Sequence, residues 1–225
     1  MGIYGYCVAP RNHEPPAELH GINGEAVAAR PVGELVVWVS ELERPEPTVD
    51  HAVAHNKVVE AAVAAEVTPV PLRFGQWSDN YGAFDAAIRD RSAWYSERLR
   101  TFAGSLEFGL RVLNPEAGPA RLVHNATAVT GLEYMRSLRD RAVAAQVERD
   151  EADRICASIE GILGALVREQ RVEHARTTRG LIDVAHLVAR PDFDTYRTRA
   201  ASLRQKFPEL RFLVSGPWVP YSFAA

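Results

Sequence analysis

Two histidines four residues apart, His51 and His55 in HAVAH, have the spacing in this sequence most suggestive of chemistry. On a helix, side chains four apart share a face, and two imidazoles so placed can ligate one metal ion. A zincin-type site needs HExxH with the glutamate as general base, but position 52 is Ala and no third ligand stands out. The pair therefore reads as a surface or interface feature, and no metal or cofactor is expected. The other candidates fare no better. GING at 21–24 is too short for a dinucleotide-binding turn, and neither a phosphate-cradling GxxxxGK[ST] loop nor a GxSxG elbow occurs. Ser215 has no suggestive His or Asp nearby in sequence. The carboxylates of QVERDEADR, 146–154, alternate with bases as on a solvated helix face. Cys7 and Cys156 lie far apart in apolar contexts and read as buried residues. Arg73 in PLRFG, flanked by Leu72 and Phe74, suits a structural ion pair or a cap on loop carbonyls, or else recognition of a partner's carboxylate. No catalytic set assembles, and the chain is not expected to be an enzyme.

Composition narrows the class further. The chain has 225 residues, 47% hydrophobic and 24% charged, enough to bury a core without disulfides or metals. A net charge of −3 provides no global basic field for nucleic acid or an anionic membrane. The opening MGIYGYCVAPRNHE lacks the pattern of a secretory signal, and Tyr6 occupies the position where myristoylation needs Ser or Thr. No apolar run approaches the length of a membrane span, so a cytoplasmic location is expected.

The positioning elements follow from periodicity. IYGYCVA (3–9), EAVAARPV (25–32) and ELVVWVSEL (34–42) read as strands, the last two as a hairpin near Gly33. A helix capped by Thr48 or Asp50 runs to about Glu66, and TPVPLRFG (68–75) is a strand confined by its prolines to an edge. Tyr81, Phe84, Ile88, Trp94, Leu99 and Phe102 mark a bridging helix over 79–103, and SLEFGLRVLNP alternates as a half-buried strand. The proline-free stretch 130–169 reads as one helix roughly 55–60 Å long, with a heptad-like stripe of Ala145, Ala152, Ile155, Ile159, Ile162 and Leu166. Strands at RVEHART and LIDVAHLVAR, a helix over 191–208 and a strand at ELRFLVSG complete the chain. Both halves thus run β, α, β, β, α, β, with the first helix worn down to a loop. This order predicts an α+β fold of two ferredoxin-like, split βαβ domains: 1–78, a bridging helix over 79–104, and 105–225.

The chain closes on SGPWVPYSFAA. Trp218, Tyr221 and Phe223 bring large apolar surfaces, and Pro217 and Pro220 reduce the entropy lost on pinning the tail. The tail is expected to fold back on its own chain, against the helix over 79–103, or else to form a partner-binding strip.

Taken in order, YGYCV, HNKVVEAA, PVPLRFG, LEFGLRV, TGLEYMRSLR, AHLVAR and GPWVPYSF resemble the gas vesicle protein F/L family (GvpF/GvpL) over nearly the whole chain. The closing GPW…PYSF is the most specific segment; Val219 stands where the family usually has a second proline, and Met135 where it often has Leu. The resemblance implies two α+β domains of modified ferredoxin type and a minor, non-enzymatic protein of gas vesicle formation. It implies binding to the hydrophobic shell protein and other vesicle proteins, and for some members a place on the gas-facing side. Arg73, Phe74, Trp218, Pro220, Tyr221 and Phe223 are the structural or partner-binding candidates. A client could add a strand at the open edge near 68–74, or lie along the apolar stripe of the long helix. The alternative function is a small-molecule-binding or regulatory module of ferredoxin-like fold.

Overall fold

The computed structural model describes residues 1–64, 66–115, 131–174 and 180–224. It is a mixed α/β protein with two antiparallel sheets. The chain divides into two compact units, Met1–Phe108 with Leu187–Arg190 and Gly216–Ala225, and Gly109–His186 with Pro191–Ser215.

In the first unit, β1 (Gly2–Pro10) is the central strand, buried along almost its whole length. That is why it reads as a continuous apolar run instead of an alternation. It pairs antiparallel with β3 (Leu35–Leu42), from Gly2 opposite Leu42 to Pro10 opposite Leu35, with a register shift between Gly5 and Cys7. β2 (Ala28–Val32) pairs with β3 through a hairpin whose Gly33 has φ +64°, a conformation glycine adopts without steric cost. On its other side β1 pairs with β4 (Val70–Pro71) and β5 (Trp77–Ser78). The strand expected over 68–75 is thus only two residues long, since Pro69 and Pro71 have no N–H for the ladder. The two-residue β5 is an addition to the expected elements.

Helix α1 (Val49–Ala61) starts at Thr48, whose hydroxyl oxygen accepts from the His51 amide at 3.2 Å. It buries His55, Val58 and Val59 and leaves Val49 and Val53 outside. The single bridging helix expected over 79–103 is instead two, α2 (Tyr81–Asp90) and α3 (Ser92–Phe102), broken at Arg91. Neither proline nor glycine marks that break. Arg30 holds α2 to β2 through a two-pronged ion pair with Asp85, at 2.6 and 2.8 Å.

The second sheet has the order β7-β8-β6-β9, from β6 (Ser105–Leu113), β7 (Val167–His174), β8 (Gly180–Ala189) and β9 (Arg211–Trp218). In the second unit, α4 (Gly131–Leu163) packs on α5 (Phe193–Lys206). Ala152, Ile155, Ile159 and Leu163 form its buried face; Ile162 and Leu166 of the expected stripe are half-buried. The Ala145 side chain lies outside the described residues. The helix stops six residues earlier than expected: a 3-10 turn over Gly164–Leu166 leads directly into β7. His186 is buried, with Nδ1 2.7 Å from the Tyr196 hydroxyl and Nε2 3.0 Å from Gln170 Oε1.

Candidate functional site: the C-terminal tail and the PLRFG loop

Residues 216–224 belong to the first unit, and their side chains divide sharply between core and solvent. Phe223 is 2% exposed, whereas Trp218 is 51% exposed. Val219 and Pro220 are buried. Val219 joins the core formed by Tyr4, Tyr6, Cys7, Trp38, Val58 and Val59, with half-buried Tyr221 packed against it. Burial raises the Tyr221 phenol above its ordinary range, and its oxygen has no hydrogen-bond partner among the described residues.

The backbone turns by a short 3-10 segment at Tyr221–Phe223, with the Phe223 amide donating to the Pro220 carbonyl at 3.2 Å. Glu107 anchors this turn. Its carboxylate accepts from the Ser222 amide at 2.9 Å and from the Ser222 hydroxyl at 2.6 Å, and it is itself only 9% exposed. Alternation in LEFGLRV places Glu107 on the solvent side of β6, and no local signal tells that a segment 115 residues later covers it. Gly216 is obligatory at the approach: its φ is +107°, and a Cβ there would stand 2.6 Å from the Glu107 carbonyl oxygen.

PLRFG is tied to the same core by a buried polar chain. The Leu72 carbonyl can only accept, so the His55 Nε2 3.1 Å away carries the proton. Nδ1 then accepts from the Tyr4 hydroxyl at 2.9 Å, and that oxygen accepts from the Gly75 amide at 3.0 Å. Burial drives the His55 pKa down to about 4 and the Tyr4 pKa up to about 12. His55 is thus a neutral strut inside the core, contrary to its expected surface or interface role. His51, by contrast, lies on the outer side of α1, near the Glu46 carbonyl and Asn23. The described residues contain no group of three or more His, Cys, Asp or Glu able to hold a metal ion.

Phe74 is half-buried, with ring centroids 6.3 Å from Tyr4 and 5.9 Å from His55. Arg73 points outward beside Gln76, Arg91 and Tyr95 around a cleft of about 290 Å³ that Ala224 also lines. The structure therefore brings Arg73, Phe74, Tyr221 and Phe223 to the first unit and leaves Trp218 as the exposed aromatic of the tail. Among the described residues, no helix is long and apolar enough to cross a membrane.

This two-sheet α/β architecture is a known one. It is similar to the crystal structure of the gas vesicle protein GvpF from Anabaena sp. PCC7120, with a TM-score of 0.79 at 20% identity over 100% of this chain and 96% of that one. In sequence, the family model described as gas vesicle synthesis protein GvpL/GvpF matches residues 2–225, and the chain belongs to that family. Gas vesicle protein F of Streptomyces sp. (strain CB03234) is 28% identical over 240 residues, covering 99% of both chains. Gas vesicle protein F2 of Halobacterium salinarum is 25% identical over 227 residues, covering 98% of this chain and 91% of its own.

Proposed function

We propose that this chain is a minor, non-enzymatic gas vesicle assembly protein that binds the hydrophobic shell protein in the cytoplasm during vesicle formation. Membership of the GvpL/GvpF family supports the vesicle role. The observation that carries the binding role is Trp218. A half-exposed indole is held on a backbone pinned on its C-terminal side by buried Val219, Pro220 and Phe223 and by the Glu107 anchor. A rigid, exposed Trp is the side chain most often found to dominate a protein interface, because it brings much apolar area at little entropic cost. A shell subunit that faces gas on one side must expose apolar surface before assembly, and such a surface needs a soluble partner.

The strand orders β2-β3-β1-β4 and β7-β8-β6-β9 are both second, third, first, fourth within their sheets. That order supports reading each sheet as ferredoxin-like, with a 3-10 turn at Ile22–Gly24 where the first helix of the first motif would stand. In this reading Tyr221, Phe223 and Pro220 are structural, Phe74 braces the PLRFG loop, and Trp218 contacts the client. The test is genetic: removing the gene should sharply reduce vesicle yield, and a Trp218→Ala copy should restore it poorly while accumulating as folded protein. Full vesicle yield in the deletion strain would overturn the assembly role.

A further inference from the structure

Several arginines of the first unit face a carboxylate: Arg30 and Arg89 face Asp85, Arg11 faces Glu34 and Arg100 faces Glu97. Arg73 and Arg91 do not. They line one cleft of about 290 Å³ with Gln76 and Tyr95, and among the described residues no acidic side chain contributes to its wall. Arg91 stacks on Trp94, 4.3 Å from the ring centroid, and lies 5.4 Å from that of Tyr95. Stacking orients the planar guanidinium without neutralising it and leaves its edge N–H donors free for a bidentate acceptor. Arg73, exposed, lines the same cleft from a loop fixed by the Tyr4–His55 chain. The polar wall of the cleft therefore offers two guanidinium groups with no carboxylate partner among the described residues, and an amide, with the Tyr95 ring behind Arg91.

We propose that this cleft binds a carboxylate side chain presented by an acidic peptide segment of a protein partner. Two guanidinium groups lining one cleft repel each other unless an anion lies between them, and carboxylates match their fork geometry. The rest of the wall decides for a peptide over a free ion. Pro71, Leu72 and Ala224 supply an apolar floor that suits the aliphatic stem of a glutamate, and the cleft is larger than one oxyanion needs. The chain carries net charge −3, so this is a local positive site on an acidic protein and selects for a short acidic motif rather than for acidic surfaces at large.

The assignment deepens the proposed function, since it rests on the chain binding other vesicle proteins, but it does not involve Trp218. The test is titration of the full chain with a capped tetraglutamate peptide and, separately, with inorganic phosphate. The account expects saturable peptide binding that weakens with added salt and exceeds phosphate binding. Arg73→Gln and Arg91→Gln should each weaken it roughly tenfold or more, the scale of a lost charge-assisted hydrogen bond. Both residues are exposed, so melting temperature should hold, and Arg44→Gln, an exposed control, should leave binding unchanged. No saturable peptide binding, binding that both substitutions leave intact, or phosphate binding as tight as the peptide's would each overturn the assignment. Shell-protein capture measured on the same preparations separates the two claims. Wild-type chain that captures shell protein but not peptide overturns the cleft alone. Chain that binds peptide but captures no vesicle protein overturns the proposed function and leaves the cleft standing.

Discussion

Replacing Phe223 with Ala removes a ring that is almost wholly buried in the first unit. A Phe→Ala change in a core costs roughly 3–5 kcal/mol, combining lost transfer energy with the cavity left behind. For a chain of this size each kcal/mol shifts the melting temperature by about 2–4 °C, so a fall of roughly 6–20 °C is expected. Trp218→Ala removes a larger ring that is half in solvent and should cost no more than about 1 kcal/mol. Tryptophan fluorescence suits the comparison. Trp38, Trp77, Trp94 and Trp218 are the only tryptophans and all lie in the first unit, so the signal reports that unit's unfolding. Trp218→Ala should lower the fluorescence amplitude and move the midpoint by no more than about 2–4 °C, while Phe223→Ala should move it strongly. A shift below about 2 °C for Phe223→Ala, or equal shifts for the two variants, would refute the division of the tail into a buried anchor and an exposed contact.

Three further outcomes follow from the same unit. His55 titrates near 4 when folded, below its ordinary value of about 6.5, so its contribution is complete above about pH 6.5 and is lost as pH falls towards 4. That loss amounts to roughly 3 kcal/mol, and His55→Gln should flatten the fall of the fluorescence-detected urea midpoint between pH 6.5 and 4; an unchanged slope would contradict the buried neutral imidazole. Gly216→Ala forces a Cβ against the Glu107 carbonyl at positive φ and should cost about 1–3 kcal/mol, read as a lower melting temperature. Asp85→Asn leaves Arg30 without its charged two-pronged partner and should destabilise by roughly 1–3 kcal/mol in urea titrations, an effect absent if the pair is merely incidental.

Much of the fold was legible because the strands carry their pattern locally. β1 and β3 are dense in aromatic and β-branched residues, and LEFGLRV alternates as β6 does. Thr48 marks the start of α1, where the structure shows it as the cap. What stayed hidden depends on partners distant in sequence. Trp77–Ser78 is a strand only because β1 offers an edge to it, and two residues are too short to show a period. The break at Arg91 has no punctuating residue, and the passage from α4 to β7 is marked only by Gly164, which opens the 3-10 turn in a stretch otherwise read as helix. The tail shows the same limit: its aromatics announce burial by type, but nothing in PWVPYSF says that Phe223 goes in and Trp218 stays out. His51 and His55 look equivalent by spacing, yet only His55 faces the column of Val58 and Val59 and meets Tyr4 and Leu72. Arg91 escaped notice because its relation to Arg73 exists only in three dimensions.

The most direct test of the account is co-purification of the gas vesicle shell protein, expressed together with this chain and with its Trp218→Ala variant. The wild-type chain should retain shell protein through washing, and the variant should lose most of it while its melting temperature falls by no more than about 2–4 °C. Shell protein absent from the wild-type eluate would contradict the account, and equal retention by the variant would remove Trp218 from it.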